Sequence, residues 1–469
     1  MPAKIIFYEL NEVPFKIIEY FTKIYPDSTL AKIFPQARKY ESYAEDKGHL
    51  SPWITWPTLH RGVSNEKHFI SDFGQDLTEQ DQQFPTTWNI LAQNKVKVGV
   101  FGSLHTYPPP PSYENFAYYV PDMFAAGSEC FPKKIEAYQR FNLTMSRESG
   151  RNVSAGMPIK ETLNFLTALP ELGFKFKTAL DVANQLVEER TDKWKVVRRR
   201  TYQTVIAFDL FMAQLKRNKP DYTTFFTNHV ASSMHRYWAA SFPEDYDNIE
   251  LTQQWLEQYN SEIVFTMKKA DEMIRRLVEF ADQNPEYNLW ILSSMGQEAY
   301  KANSIESQLY VSNPEKFMNF FGINKSEWQS RPSMLPQFNV LVNENKRKSF
   351  LEQLATLKVN DHKFDFREHT AGFFALDWGH PNLADADTKI EYMGKPVENF
   401  RDMGLENVEI KDKSGTTAYH IPQGSMLVYD PKDTHHKQGI TQLSTLDIAP
   451  TILQNFGIKP KAYMNKAAF

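Results

Sequence analysis

Glu9, Thr55, His229, His235, Ser294 and His420 are the side chains of this sequence best suited to chemistry, and each stands close to a short apolar run. Carboxylate and imidazole are ligands of zinc and manganese. A threonine hydroxyl becomes a useful nucleophile only beside a base or an ion. Glu9 sits near the end of the run Lys4 to Leu10, and His229 and His235 follow Tyr222 to Thr227. Ser294 follows Asn288 to Leu292, and His420 stands in a turn before Ser425 to Asp430. Thr55 lies in Pro52-Trp-Ile-Thr-Trp-Pro57, which reads as a loop stiffened by two prolines. Its neighbours Trp53 and Trp56 carry rings that can stack on a base or a sugar.

These runs have the length and β-branched or aromatic content of buried strands, as does Val96 to Leu104. Helical spacing separates them over Thr178 to Glu188, Val197 to Leu215, Thr252 to Phe280 and Leu446 to Phe456. Alternation of this kind predicts an α/β fold with a central, mostly parallel sheet flanked by helices. Sites in such sheets form outside the carboxyl ends of the strands, which is where Glu9, Thr55, His235, Ser294 and His420 are expected to converge. One domain is expected over 1–469, carrying a mostly helical insertion at 132–218 and a small α+β insertion at 330–415. The basic run Arg198 to Arg200 reads as a solvated helix face. His380 reads as part of a turn, and His435-His436 as solvated loop.

The chain has 469 residues, 41% hydrophobic and 23% charged, with a net charge of -4. That balance gives no pull toward nucleic acid or acidic lipid. The single cysteine, Cys130, excludes an intrachain disulfide framework and suits a reducing, cytoplasmic compartment. No run approaches the ~20 apolar residues of a membrane span. The apolar start, Ile5 to Tyr8, is interrupted by Glu9, Asn11 and Glu12 too soon for a signal sequence. Asn142 and Asn152 stand in glycosylation-type triplets, which in a cytoplasmic protein are chance matches.

The order of motifs resembles the alkaline phosphatase superfamily, nearest its nucleotide pyrophosphatase/type I phosphodiesterase branch. Pro52 to Pro57 resembles the nucleophile loop, and Ala231 to His235 the second motif. Ser293 to Gly296 resembles the third, His420 to Gly424 the late histidine turn, and Asp447 to Leu453 with Gly457-Ile458 the closing helix. The resemblance spans nearly the whole chain. It implies Thr55 as nucleophile, Glu9 and His235 beside it in catalysis, and Trp53, Trp56, His229 and Ser294 against the substrate.

The departures bear on the metal. The branch uses two close ions held largely by carboxylates. Here Ala231 stands where an Asp belongs, Ser294 and Met295 replace Asp and His, and Glu9 takes the first-strand position. Neither Met nor Ser is a good ligand for a hard or borderline divalent ion. The expectation is therefore at most one divalent ion, zinc or manganese, on His235, His420 and Glu9, with His229, Gln297 or Glu298 able to complete the set. The reading that follows is a phosphoesterase-type hydrolase or transferase acting on a small-molecule or glycan phosphate. Two alternatives stand beside it: a degenerate binding or scaffolding relative, and a metal-free enzyme acting on a nucleotide sugar or glycan.

Overall fold

The structure is a computed structural model that describes residues 2–148, 165, 171–334, 336–378, 381–410, 412–434 and 439–469. Asn152, His380, His435 and His436 lie outside the described residues.

An eight-stranded sheet organises the chain. Its strands are β1 (Lys4–Leu10), β2 (Arg38–Tyr43), β3 (Val98–Phe101), β4 (Phe116–Val120), β5 (Tyr222–Thr227), β6 (Tyr287–Leu292), β7 (Met426–Tyr429) and β8 (Thr441–Ser444). Their spatial order is β8-β2-β7-β6-β1-β5-β3-β4. β1 pairs in parallel with both β5 and β6, which makes it the centre of the sheet. β7 runs antiparallel to both β2 and β6, so the sheet is mixed but mostly parallel.

Period-two alternation splits β1 between two cores. Ile6, Tyr8 and Leu10 join the layer built on the helices Arg199–Asn218, His229–Ser241 and Glu262–Gln283. Ile5 and Phe7 join the opposite layer with Trp56, Trp88 and the closing helix Ile448–Asn455. A strand buried on both faces reads as a continuous apolar run, which is why β1, β5 and β6 are legible in the sequence.

Three elements differ from the sequence reading. Pro52–Arg61 is a helix, not a loop. Ser51 caps it and Pro52 occupies its first turn, where the missing N–H costs nothing. Gly62 ends it at φ 59 in the left-handed region that favours glycine. The span Thr252 to Phe280 is broken into Gln253–Tyr259 and Glu262–Gln283. His420 lies in a strand, Ala418–Ile421, paired antiparallel with Gly296–Ala299. Gly296 is needed there because a Cβ would come within 2.0 Å of the Gln423 carbonyl.

A third core, from Leu309 to Leu405, belongs to the region between Ser307 and Glu409. Its larger sheet orders Asp365–Thr370, Phe373–Asp377, Phe338–Val342 and Trp328–Arg331, all antiparallel. The edge strand Asp365–Thr370 carries Asp365, Phe366, Arg367 and His369 to the cavity described next.

Candidate functional site

β1 ends at Leu10, and the chain turns sharply through Asn11 and Glu12. Glu12 adopts φ 60, which for a residue with a Cβ costs on the order of 1 kcal/mol. That conformation sends its carboxylate toward the carboxyl end of the sheet. His235 reaches the same point from the second turn of the helix that follows β5, and His420 from the strand Ala418–Ile421.

The His235 Nε2 lies 2.9 Å from the Glu12 Oε2, and the His420 Nε2 lies 3.4 Å from the same oxygen. Each ring is fixed by its other nitrogen. His235 Nδ1 donates to the Ala418 carbonyl and His420 Nδ1 to the Leu50 carbonyl, both at 2.8 Å. Glu12 in turn accepts from Asn11 Nδ2 at 2.7 Å and from Gln297 Nε2. Burial pushes the Glu12 carboxyl up, but the facing His420 and His235 outweigh it and hold the group well below the usual carboxylate range. Burial pulls His420 down, and the Glu12 charge and hydrogen bond more than reverse this, so its pKa is raised.

The donor set fits a divalent ion. Two imidazoles and one carboxylate is the ligand set of several catalytic zinc sites, which leave a position open. Histidines that bind metals nearly always donate the second ring N–H to a carbonyl, carboxylate or water, as both do here. The three candidate ligand atoms all lie within 4.8 Å of one another. Among the described residues, no other such group of His, Cys, Asp and Glu is found.

The cluster opens into a cavity of about 410 Å³. Trp53 lines it, packed at 4.1 Å on Phe73 and 4.8 Å on Phe124. Arg200 and Arg367 bring positive charge to its wall. Arg367 is near enough to His49 that, after burial and His420, it helps lower the pKa of that ring. Of the basic run, Arg198 and Arg199 are forked onto Glu262 and Glu189, while Arg200 donates to Ser232 at the cavity.

The other residues singled out in the sequence fall in different places. Glu9 is not brought to His235 and His420. It shares the face of Ile5 and Phe7, and its Oε1 pairs with His60 Nε2 at 2.8 Å, both side chains being fully buried. Thr55 is also fully buried, its Oγ1 2.8 Å from Ser294 Oγ. The two hydroxyls lie behind the cavity wall, and neither residue lines it. Trp56 is fully buried, and its Nε1 donates to Asn11 Oδ1 at 2.7 Å, steadying the turn that carries Glu12. His229 lines the cavity and is 4% exposed, and burial lowers its pKa to about 4. Glu298 is exposed, whereas Gln297 is buried and bonded to Glu12.

Glu12 and Arg367 are absent from the sequence-derived set of ligands and substrate contacts. The alternation of β1 carries a signal for the first of these: it places Glu9 on the face of two core residues, leaving the next acid to reach the sheet edge. Arg367 depends on how the Leu309–Leu405 core docks, and nothing local encodes that.

No family model and no curated protein matches the sequence. Among solved structures, the chain is similar to murine ectonucleotide pyrophosphatase/phosphodiesterase 5 in an inactive form with AMP, at 11% identity and a TM-score of 0.41. It is similar to the same murine protein in a second structure, at 10% and 0.40, and to the human protein, at 11% and 0.39. Each match covers 99% of this chain and 97% of the other. Among the described residues, no helix is long and apolar enough to cross a membrane.

Proposed function

We propose that the chain is a phosphoesterase-type hydrolase that holds one divalent ion, zinc or manganese, on Glu12, His235 and His420. The observation that carries this is the pair of Nδ1–H to carbonyl bonds, which turn both Nε2 atoms onto one buried carboxylate oxygen. Such an ion supplies Lewis acidity, lowering the pKa of water and polarising an ester oxygen. The protein's own part is to orient and to balance charge. Arg200 and Arg367 offset the negative charge of a phosphate group in the cavity, and Trp53 offers a ring for an attached base or sugar. His229, held neutral by burial, offers a hydrogen-bonding contact to the same substrate. A small-molecule or glycan phosphate suits a cavity of this size.

The test is elemental analysis with a panel of phosphodiesters, nucleotide sugars and glycan phosphates. About one ion per chain, lost together with turnover in Glu12→Gln and His235→Ala, supports the proposal. Full turnover in metal-free protein sinks it.

A second reading keeps Thr55 as a covalent nucleophile. It is favoured by the 2.8 Å contact to Ser294, which can orient the hydroxyl. This reading requires the Ser51–Trp53 wall to open and admit substrate. Trapping of a phosphorylated peptide containing Thr55 supports it; turnover in Thr55→Ala at the unaltered rate removes it.

A further inference from the structure

A second group of reactive side chains lines the same cavity away from Glu12. Ser71, Asp72 and His369 all contribute to the wall. Ser71 and Asp72 come from the segment after the short helix Asn65–His68, and His369 from the edge strand Asp365–Thr370. Ser71 Oγ lies 2.8 Å from His369 Nδ1, and His369 Nε2 lies 3.4 Å from Asp72 Oδ2. The carboxylate is itself held, accepting from Gln337 Nε2 at 2.7 Å and from the Phe73 N–H at 2.8 Å.

The carboxylate beside Nε2 favours one tautomer. An ionised carboxylate only accepts, so the ring hydrogen belongs on Nε2, facing Asp72. That leaves the Nδ1 lone pair to accept the hydrogen of the Ser71 hydroxyl. Hydroxyl, imidazole and carboxylate then stand in the sequence that activates a serine nucleophile, with the two ring nitrogens exchanged relative to the usual arrangement. The 3.4 Å contact is not aligned as a hydrogen bond and leaves Nε2 buried without a hydrogen-bond partner; catalytic contacts of this kind are often poorly aligned without substrate and tighten when it binds. Phe124, Met334 and Phe366 line the cavity with Trp53 and give it an apolar side suited to a hydrocarbon acyl group.

We propose that Ser71, His369 and Asp72 form a second reaction centre, a serine esterase site for carboxylic esters. Ser71 Oγ forms a bond to the ester carbonyl carbon while its proton passes to His369 Nδ1. The ester C–O bond breaks, and the departing alkoxide takes that proton. Water then attacks the acyl-serine with the same ring as base, releasing the carboxylic acid and restoring Ser71. The sum is ester plus water to acid plus alcohol, and no ion takes part.

The experiment uses full-length protein stripped of metal with a chelator and treated with diisopropyl fluorophosphate, followed by peptide mass spectrometry. Turnover of p-nitrophenyl butyrate is measured in parallel. The expected result is a single adduct on Ser71 and ester turnover that falls on the order of a thousandfold in Ser71→Ala. His369→Asn abolishes the adduct, and Glu12→Gln retains it, which separates this site from the proposed metal centre. Failure to label Ser71 in folded wild-type protein overturns the proposal. So does an adduct on another residue, or butyrate turnover unchanged in Ser71→Ala.

Discussion

Glu12 and His235 meet at 2.9 Å although one leaves the central strand and the other sits on a helix more than two hundred residues later. The meeting is enforced from behind on both sides. Asn11 and Gln297 hold the carboxylate, and the Ala418 carbonyl holds the ring.

Gln297→Ala should therefore weaken metal binding without removing a ligand. Partners of this kind typically contribute 10–100-fold, so a drop of about that size is expected. Isothermal titration of the metal-free protein with zinc or manganese measures it. An unchanged affinity would show that Gln297 does not orient Glu12.

Glu9 and Glu12 should separate cleanly. Glu9→Ala leaves His60 buried without its hydrogen-bond partner, and an unsatisfied buried polar group costs about 1–3 kcal/mol. Metal content should persist in whatever fraction remains folded. Glu12→Gln should do the reverse, removing the ion with a smaller change in denaturant midpoint. Loss of metal in folded Glu9→Ala would contradict the placement of the two acids.

The two tryptophans beside Thr55 should differ in the same way. Trp56 is fully buried, and its truncation opens a cavity costing about 3–5 kcal/mol. Trp53 lines the site, so Trp53→Ala should mainly raise KM. Melting curves and steady-state kinetics on both variants decide between these outcomes.

His68 predicts an acid-sensitive fold. Burial, aided by Arg61, lowers its pKa to about 3 from 6.5. Its Nδ1 accepts the Ile70 N–H, and Thr58 meets Nε2, so a proton on Nδ1 would break the hydrogen bond from Ile70 to the ring. The folded pKa is the lower one, so below the unfolded value the unfolded chain binds the extra proton. Stability is then full above pH 6.5 and falls as pH drops toward about 3, by on the order of a few kcal/mol. In His68→Gln the melting temperature should vary less between about pH 6 and 4. An identical pH profile would remove His68 from the acid transition.

The sheet was legible because its central strands are buried on both faces and carry few polar residues. Tyr222–Thr227 stands out as a run of β-branched and aromatic residues, and Tyr287–Leu292 as a mostly apolar one. Pro52–Arg61 was misread because two prolines mask a helix. Its marks were nonetheless local: Ser51 before Pro52 at the start and Gly62 at the end. The site was less legible because its decisive acid lies beyond the strand, in a backbone conformation that no residue type there announces. His235 and His420 meet where the helix His229–Ser241 packs on the strand Ala418–Ile421, with the Ala418 carbonyl accepting from His235, a contact without a local signal. Arg367 and His369 depend on how a separate core docks.

That separate core has a consequence for how the protein fails under stress. Leu309 to Leu405 cohere around their own apolar side chains, and the cavity takes one wall from them and another from the main sheet. Opening of either core is then enough to break the shared cavity. In rising denaturant, turnover should disappear when the first core opens, while the other keeps its share of the far-ultraviolet signal. The activity midpoint would thus precede the global one, making the protein's functional lifetime a property of its weaker half.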